Sequence, residues 1–207
     1  MKICYIIGAG DLPLLYIKEN GLVIAADGGL DRIGNIKPDL VVGDFDSAKS
    51  EPPKGAVLLP IEKDVTDMKY AVDSGISKGF DTFIIYGGTG GRPDHTFANY
   101  ALLCELAERG KAGYLIGDGF IATAIKDGET EIMGKIGNTL SVFAAGDKAE
   151  VVTLQGLKYP LDNHTLMFNM PLGVSNSFSL KTAKISVKKG TLLKIWEENV
   201  KDFIDNL

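Results

Sequence analysis

The stretch Thr82-Phe83-Ile84-Ile85-Tyr86-Gly87-Gly88-Thr89-Gly90-Gly91-Arg92-Pro93-Asp94-His95 decides the fold. Thr82–Tyr86 is an apolar, β-branched and aromatic run that predicts a buried strand, and the four glycines after it predict a tight turn. Asp94–Arg109 carries Phe97, Leu102, Leu103 and Leu106 at roughly helical spacing, so the turn opens into a helix. Strand, glycine turn and helix in that order form half of a parallel βαβ unit.

The same alternation extends on both sides. Lys2–Ile7, Leu22–Ala26, Leu40–Val42, Ala56–Leu59 and Ala112–Ile116 read as further strands, and Asp67–Lys78, headed by Thr66 in a capping position, as a second crossover helix. Residues 1–118 are therefore expected to form an α/β domain with a mostly parallel, Rossmann-like sheet. After Gly117-Asp118-Gly119 the pattern becomes short β-rich runs broken by Asp-Gly, Gly-Asn and Gly-Asp. Phe120–Lys126, Glu129–Met133, Thr139–Ala144, Glu150–Leu154, Lys184–Val187 and Leu192–Trp196 are the predicted strands of an all-β domain over 119–207, a small sandwich or barrel by their spacing and a sandwich by the resemblance given below. Val200, Phe203, Ile204 and Leu207 share one face of a short tail helix.

At 207 residues, 45% hydrophobic and 24% charged, the chain has the make-up of a packed globular protein rather than a disordered one. A net charge of −5 argues against a nucleic-acid groove, which needs clustered Lys and Arg. Cys4 and Cys104 match no zinc or C-x-x-C pattern and read as buried small hydrophobes. The apolar run Ile3–Ile7 is too short for a signal peptide or a membrane span, so a cytoplasmic location without membrane contact is expected.

Acidic residues recur beside the turns. In an extended segment Asp44 and Asp46 point to one side with Phe45 on the other, which suits a shared hard cation and equally suits a solvated turn. Asp27, ahead of Gly28 and Gly29, fits close approach of a phosphate or a helix cap, and Thr66-Asp67 has the same two readings. Gly87–Asp94 combines glycines, a helix start and Arg92 as an anion cradle, or is a flexible turn. There is no Walker-type loop and no G-x-S-x-G elbow. Acid after acid at successive strand ends, with a glycine-rich arginine segment, points to Mg²⁺ holding a nucleotide polyphosphate.

The order of these motifs resembles the thiamine pyrophosphokinase family. The matching segments are Ala26–Gly29, Pro38-Asp39 with Val42–Ser47, Lys63–Asp67, and Gly90–Thr96 with Asn99, followed by Gly156–Leu161 and Gly173–Asn176. The resemblance implies a two-domain homodimer with active sites between subunits, and Mg²⁺-dependent transfer of pyrophosphate from ATP to thiamine. By position, Asp44, Asp46 and Asp67 would be metal and catalytic residues, with Arg92 and Asp94 serving the phosphates. Asp27, Gly28, Gly29, Thr66, Gly90, Gly91, Arg92, His95 and Asn99 would line the nucleotide site, and Ser175 and Asn176 the thiamine pocket. An aromatic face or an acid of the second domain is expected to meet the cationic thiazolium, with Phe178 or Trp196 as the aromatic candidates. Two rival readings share the same residues: a pyrophosphokinase for another hydroxymethyl heterocycle such as a pterin, and a non-catalytic sensor of nucleotide or thiamine.

Overall fold

The computed structural model describes residues 2–45, 51–60, 62 and 64–207. The chain divides into two compact units, one of residues 1–99 and 113–118 and the other of residues 100–112 and 119–207.

The first unit is built on strands β1 (Ile3–Ile7), β2 (Leu22–Ala26), β3 (Leu40–Gly43), β4 (Val57–Leu58), β5 (Thr82–Tyr86) and β6 (Ala112–Ile116), in the spatial order β6-β5-β1-β2-β3-β4. The pairs β1–β2, β1–β5, β2–β3 and β3–β4 are all parallel. Every residue of β1 and β5 is buried, which is why these strands read as unbroken apolar runs instead of alternating ones. Helix α1 (Asp67–Ser77) packs on β1, β2 and β3 through Met68, Ala71, Val72 and Gly75. Thr66 caps it, its Oγ1 accepting from the Lys69 amide at 3.2 Å. Helix α2 (Pro93–Glu108) opens on a proline, where the missing amide hydrogen costs nothing, and passes from the first unit to the second after Asn99.

Crossover helices do not join every parallel pair. Between β1 and β2 the chain carries no helix over residues 12–20. Two buried tyrosines hold it instead: the Tyr86 hydroxyl donates to the Tyr16 carbonyl at 2.9 Å, and the Tyr5 hydroxyl accepts from the Lys18 amide at 3.0 Å. After β2 there is only a single 3-10 turn, Asp27–Asp31.

The second unit is strand-rich. Its strands are β7 (Phe120–Lys126), β8 (Glu129–Met133), β9 (Thr139–Gln155), β10 (Leu161–Met167), β11 (Asn176–Ser177) and β12 (Thr182–Glu197), and it ends in helix α3 (Val200–Asn206). The order is β10-β9-β12-β7, with β11 on β9 and β8 on β12, and the pairings are antiparallel. Two expected breaks are absent. Thr139–Ala144 and Glu150–Leu154 belong to one strand that runs through Gly146, and Lys184–Val187 and Leu192–Trp196 to another that runs through Gly190. Both glycines have positive φ, 87° and 117°, and the β9–β12 register shifts between Lys189 and Thr191. The glycine signals mark irregularities inside long strands, not hairpin turns.

The core of this unit includes Leu140, Val142, Leu154, Leu166, Ile185, Leu192 and Trp196. Trp196 meets Phe203 of α3 edge-on, with ring centroids 6.1 Å apart at 70°. Both thiols are held as ordinary hydrophobes: burial pushes Cys4 up to about 12 and Cys104 up to about 11, so neither is a thiolate near neutrality.

Candidate active site

Four parallel strands of the first unit deliver their turns to one rim. The β1–β5 register pairs Ile7 with Tyr86, so the segments beginning at Gly8 and Gly87 leave the sheet side by side. They stay hydrogen-bonded beyond the strands: Gly8 N donates to Tyr86 O (2.8 Å), Gly10 N to Gly87 O (2.8 Å) and Asp11 N to Thr89 O (2.7 Å). On the other side, β2 and β3 pair Ala26 with Val42, which puts Asp27 beside Gly43. A Cβ on Gly43 would stand 2.9 Å from the Asp27 Cα. The turn after β2 is then pressed onto the turn after β1, since a Cβ on Gly29 would overlap the Ile7 carbonyl oxygen and one on Gly28 would reach the Ala9 Cβ at 3.1 Å. The start of α1 closes the group through Met68, whose Cε lies 2.6 Å from where a Gly8 side chain would begin. Glycine is required at Gly29 because two backbones meet there, not because a turn must flex.

Three of the sequence-expected acids sit on this rim. Asp27 is half-buried in a left-handed conformation, φ 47°, with its Oδ1 buried. Asp44 is half-buried directly after β3, and Phe45 beyond it also has positive φ, 59°, a conformation that a bulky side chain adopts only when its surroundings fix it. Asp67 is the first residue of α1, half-buried with its Oδ1 buried. Asp46, the fourth, lies outside the described residues. Among the described residues no three His, Cys, Asp or Glu side chains form a group able to hold a metal by themselves. The donor chemistry, carboxylate oxygens from different strand ends, fits a hard cation that takes one or two carboxylates and completes its shell with water and phosphate oxygens.

Arg92 and Asp94 are exposed and paired with each other. The guanidinium donates through Nη2 to Oδ2 at 2.5 Å and through Nε to Oδ1 at 3.2 Å. That hydrogen bond holds the Asp94 carboxyl below its usual range and raises Arg92. His95 is exposed on the first turn of α2. Gly90 and Gly91 have positive φ, 81° and 64°. Asn99 does not reach the surface: it is buried, and its Nδ2 donates to the Gly88 carbonyl at 2.7 Å, so it holds the glycine-rich segment from beneath. Thr66 is spent as a helix cap.

In the second unit Ser175 has φ 54° and its amide donates to Ser141 Oγ at 3.0 Å. Asn176 is buried, and its side chain is consumed by backbone. Oδ1 accepts from Tyr159 N and Ser177 N, each at 2.9 Å, and Nδ2 donates to Tyr159 O at 2.7 Å. It locks the Gly156–Leu161 turn to the Gly173–Asn176 loop. The expected aromatic faces are closed: Phe178 is 1% exposed with its ring against Gly134, and Trp196 is 4% exposed. Both are core residues, a correction to the sequence reading. The ring that is open is Tyr159, 60% exposed, with the Lys158 ammonium 5.4 Å from its centroid.

Two further acids have places that the sequence does not show. Asp39 reads as a motif acid, yet its Oδ2 accepts from Val23 N at 2.8 Å and anchors β2. Asp11 stands against Gly90, and nothing in its local pattern separates it from an ordinary turn residue.

Acids and glycine turns at the carboxyl ends of a parallel sheet stand where α/β folds bind their ligands, and a strand-rich unit follows in the chain. The family descriptions that match are thiamin pyrophosphokinase, catalytic domain, over residues 14–115, and thiamin pyrophosphokinase, vitamin B1 binding domain, over residues 128–192. The chain is 30% identical over 210 residues to the thiamine pyrophosphokinase of Bacillus subtilis (strain 168), covering 94% of this chain and 98% of that protein. The crystal structure of a thiamine pyrophosphokinase from Bacillus subtilis superposes with a TM-score of 0.85 at 29% identity, over 96% of this chain and all of that one (100%). That of the Geobacillus thermodenitrificans thiamin pyrophosphokinase gives 0.81 at 27% identity, over 96% and 98%. The chain belongs to the thiamine pyrophosphokinase family.

Proposed function

We propose that this chain transfers the β,γ-pyrophosphoryl group of ATP to the primary hydroxyl of thiamine, giving thiamine diphosphate and AMP. The observation that carries the reading is the contact of Asp27 with Gly43 beside the interlocked Gly8–Asp11 and Gly87–Gly91 turns, which gathers strand-end acids and a glycine cradle on one rim.

In the transfer, the thiamine oxygen bonds to the β-phosphorus as the bond from that phosphorus to the α–β bridging oxygen breaks. AMP keeps that oxygen, and the hydroxyl proton is lost. The residues' work is to position and to neutralise charge, since phosphoryl-type transfer needs little covalent help. The amino ends of α1 and α2 direct unsatisfied amides toward phosphate oxygens. Arg92, already charged and held in a two-point fork by Asp94, offsets charge on the departing group. Asn99 keeps Gly88 in place under the cradle. Asp44, Asp46 and Asp67 are the residues we assign to Mg²⁺, which when bound supplies charge neutralisation at the phosphate oxygens. Thiamine is assigned to the loop around Ser175 and Asn176, with the exposed face of Tyr159 meeting the thiazolium.

The same reading places the enzyme in the cytoplasm as a homodimer. Among the described residues no helix is long and apolar enough to cross a membrane. Support for a partner subunit is the apolar surface of the second unit, where Tyr159, Phe168, Met170, Leu172 and Leu180 are each more than half exposed.

The test is AMP release from Mg·ATP with and without thiamine, with mass detection of the product. Thiamine-dependent AMP with matching thiamine diphosphate is expected, and Asp44→Asn or Asp67→Asn is expected to lower turnover at least 100-fold while nucleotide binding falls far less. ADP in place of AMP would overturn the mechanism.

A further inference from the structure

Asp11 is the acid that neither the motifs nor the proposed chemistry uses. Its backbone is fixed, with its amide bonded to Thr89 O at 2.7 Å and the neighbouring Gly10 amide to Gly87 O at 2.8 Å. Its carboxylate therefore has a defined place over the glycine-rich segment: the Cβ of any side chain at residue 90 would overlap Asp11 Oδ2. Gly90 also holds φ 81°, so the backbone conformation and the position of the acid both favour glycine there. The carboxylate is exposed and, among the described residues, has no hydrogen-bond or ion-pair partner.

A bare negative charge against a cradle for polyphosphate raises the cost of binding the anion. The arrangement is favourable only when a positive charge lies between or beside them.

We infer that Asp11 is a further positioning residue of the site, whose carboxylate holds a cation over the Gly87–Gly91 segment; this rests on the pyrophosphokinase reading above. Two cations of that reaction qualify, the divalent ion carried by ATP and the thiazolium of thiamine, and both are met by the same chemistry, an unpartnered carboxylate oxygen.

The experiment is isothermal titration calorimetry on the full chain and on Asp11→Asn, which keeps the volume against Gly90 and removes only the charge. One arm titrates α,β-methylene-ATP, whose carbon bridge replaces the α–β oxygen that the proposed transfer would cleave, at several Mg²⁺ concentrations, and the other titrates thiamine. A fall of at least tenfold in one affinity with the other unchanged supports the inference and names the cation: the Mg²⁺-dependent arm for the metal, the thiamine arm for the thiazolium. Affinities within twofold in both arms, or tighter nucleotide binding in the variant, overturn it, the second because the acid then only repels phosphate. Thermal unfolding of both proteins checks that the variant is folded, and Asp11→Glu, which restores the charge, is expected to recover part of the lost affinity. Wild-type protein that binds neither ligand would sink the functional reading together with this inference, whereas normal wild-type binding with an indifferent variant would sink this inference alone.

Discussion

Replacing Lys194 with methionine is expected to stabilise the second unit, and to do so in a pH-dependent way. Lys194 lies in β12 opposite Thr123 of β7 and Val142 of β9, is 2% exposed, and has no ion-pair partner among the described residues. Burial alone pushes its ammonium from 10.5 down to about 7. At about 1.36 kcal/mol per tenfold step in the equilibrium, that drop corresponds to roughly 5 kcal/mol lost at or below neutrality.

In the unfolded chain the amine stays protonated up to pH 10.5, whereas in the folded one it gives up its proton near 7. The unfolded state therefore binds more protons between these values, and stability rises with pH across that window. The penalty is full below about pH 7, about 2 kcal/mol at pH 9, and gone above 10.5. Methionine keeps the volume and has nothing to protonate. Urea unfolding followed by the fluorescence of Trp196, the chain's single tryptophan and two residues away on the same strand, measures the unit concerned. The variant is expected to be more stable by about 2–5 kcal/mol at pH 7, with a gap that narrows steadily toward pH 9.5. A variant less stable than wild type at pH 7, or a gap constant from pH 6 to 9.5, would refute the reasoning.

Three further substitutions, and Gly34→Ala as a comparison, test the architecture of the rim and the loop. Asn99→Ala removes the hydrogen bond to Gly88 and leaves that carbonyl buried, so a loss of about 1–3 kcal/mol in stability and weaker binding of α,β-methylene-ATP by calorimetry are expected. Asn176→Ala frees both the amide and the carbonyl of Tyr159; thermal unfolding is expected to shift down by several degrees and thiamine affinity to fall with the loosened turn. Gly29→Ala drives a methyl into the Ile7 carbonyl, so a loss of more than about 2 kcal/mol, or failure to accumulate as soluble protein, is expected, whereas Gly34→Ala, with open space around it, is expected to cost only its left-handed backbone strain.

Much of the α/β unit is legible in the sequence because its strands are buried on both faces. Ile3–Ile7 and Thr82–Tyr86 are runs of β-branched, aromatic and other buried residues followed directly by glycine, which leaves little room for another reading. Strand β10 is missed because four of its seven residues, Asp162–Thr165, are exposed and give no alternation. The joined strands β9 and β12 are missed because a glycine in a bulge carries the same local signal as one in a turn, and only the partner strand distinguishes them. At the site, spacing marks Asp27, Asp44 and Asp67, but a residue type says nothing of where its atoms are spent. Asn99 and Asn176 read as ligands and serve as braces, Phe178 and Trp196 read as platforms and lie in the core, and Asp11 acquires meaning only once Gly90 is seen beside it.

Strand β12 sets the order in which the second unit can be assembled on the ribosome. It pairs with β7 through Thr191–Glu197, with β8 through Thr182–Ser186 and with β9 along most of its length, yet it follows all three in the chain. Until it emerges, β7 and β8 have no partner from this strand, and β9 presents a long unpaired edge. Such an edge is a template for other chains. An incompletely folded chain in which β9 has emerged and β12 has not is thus expected to be prone to aggregation along that edge.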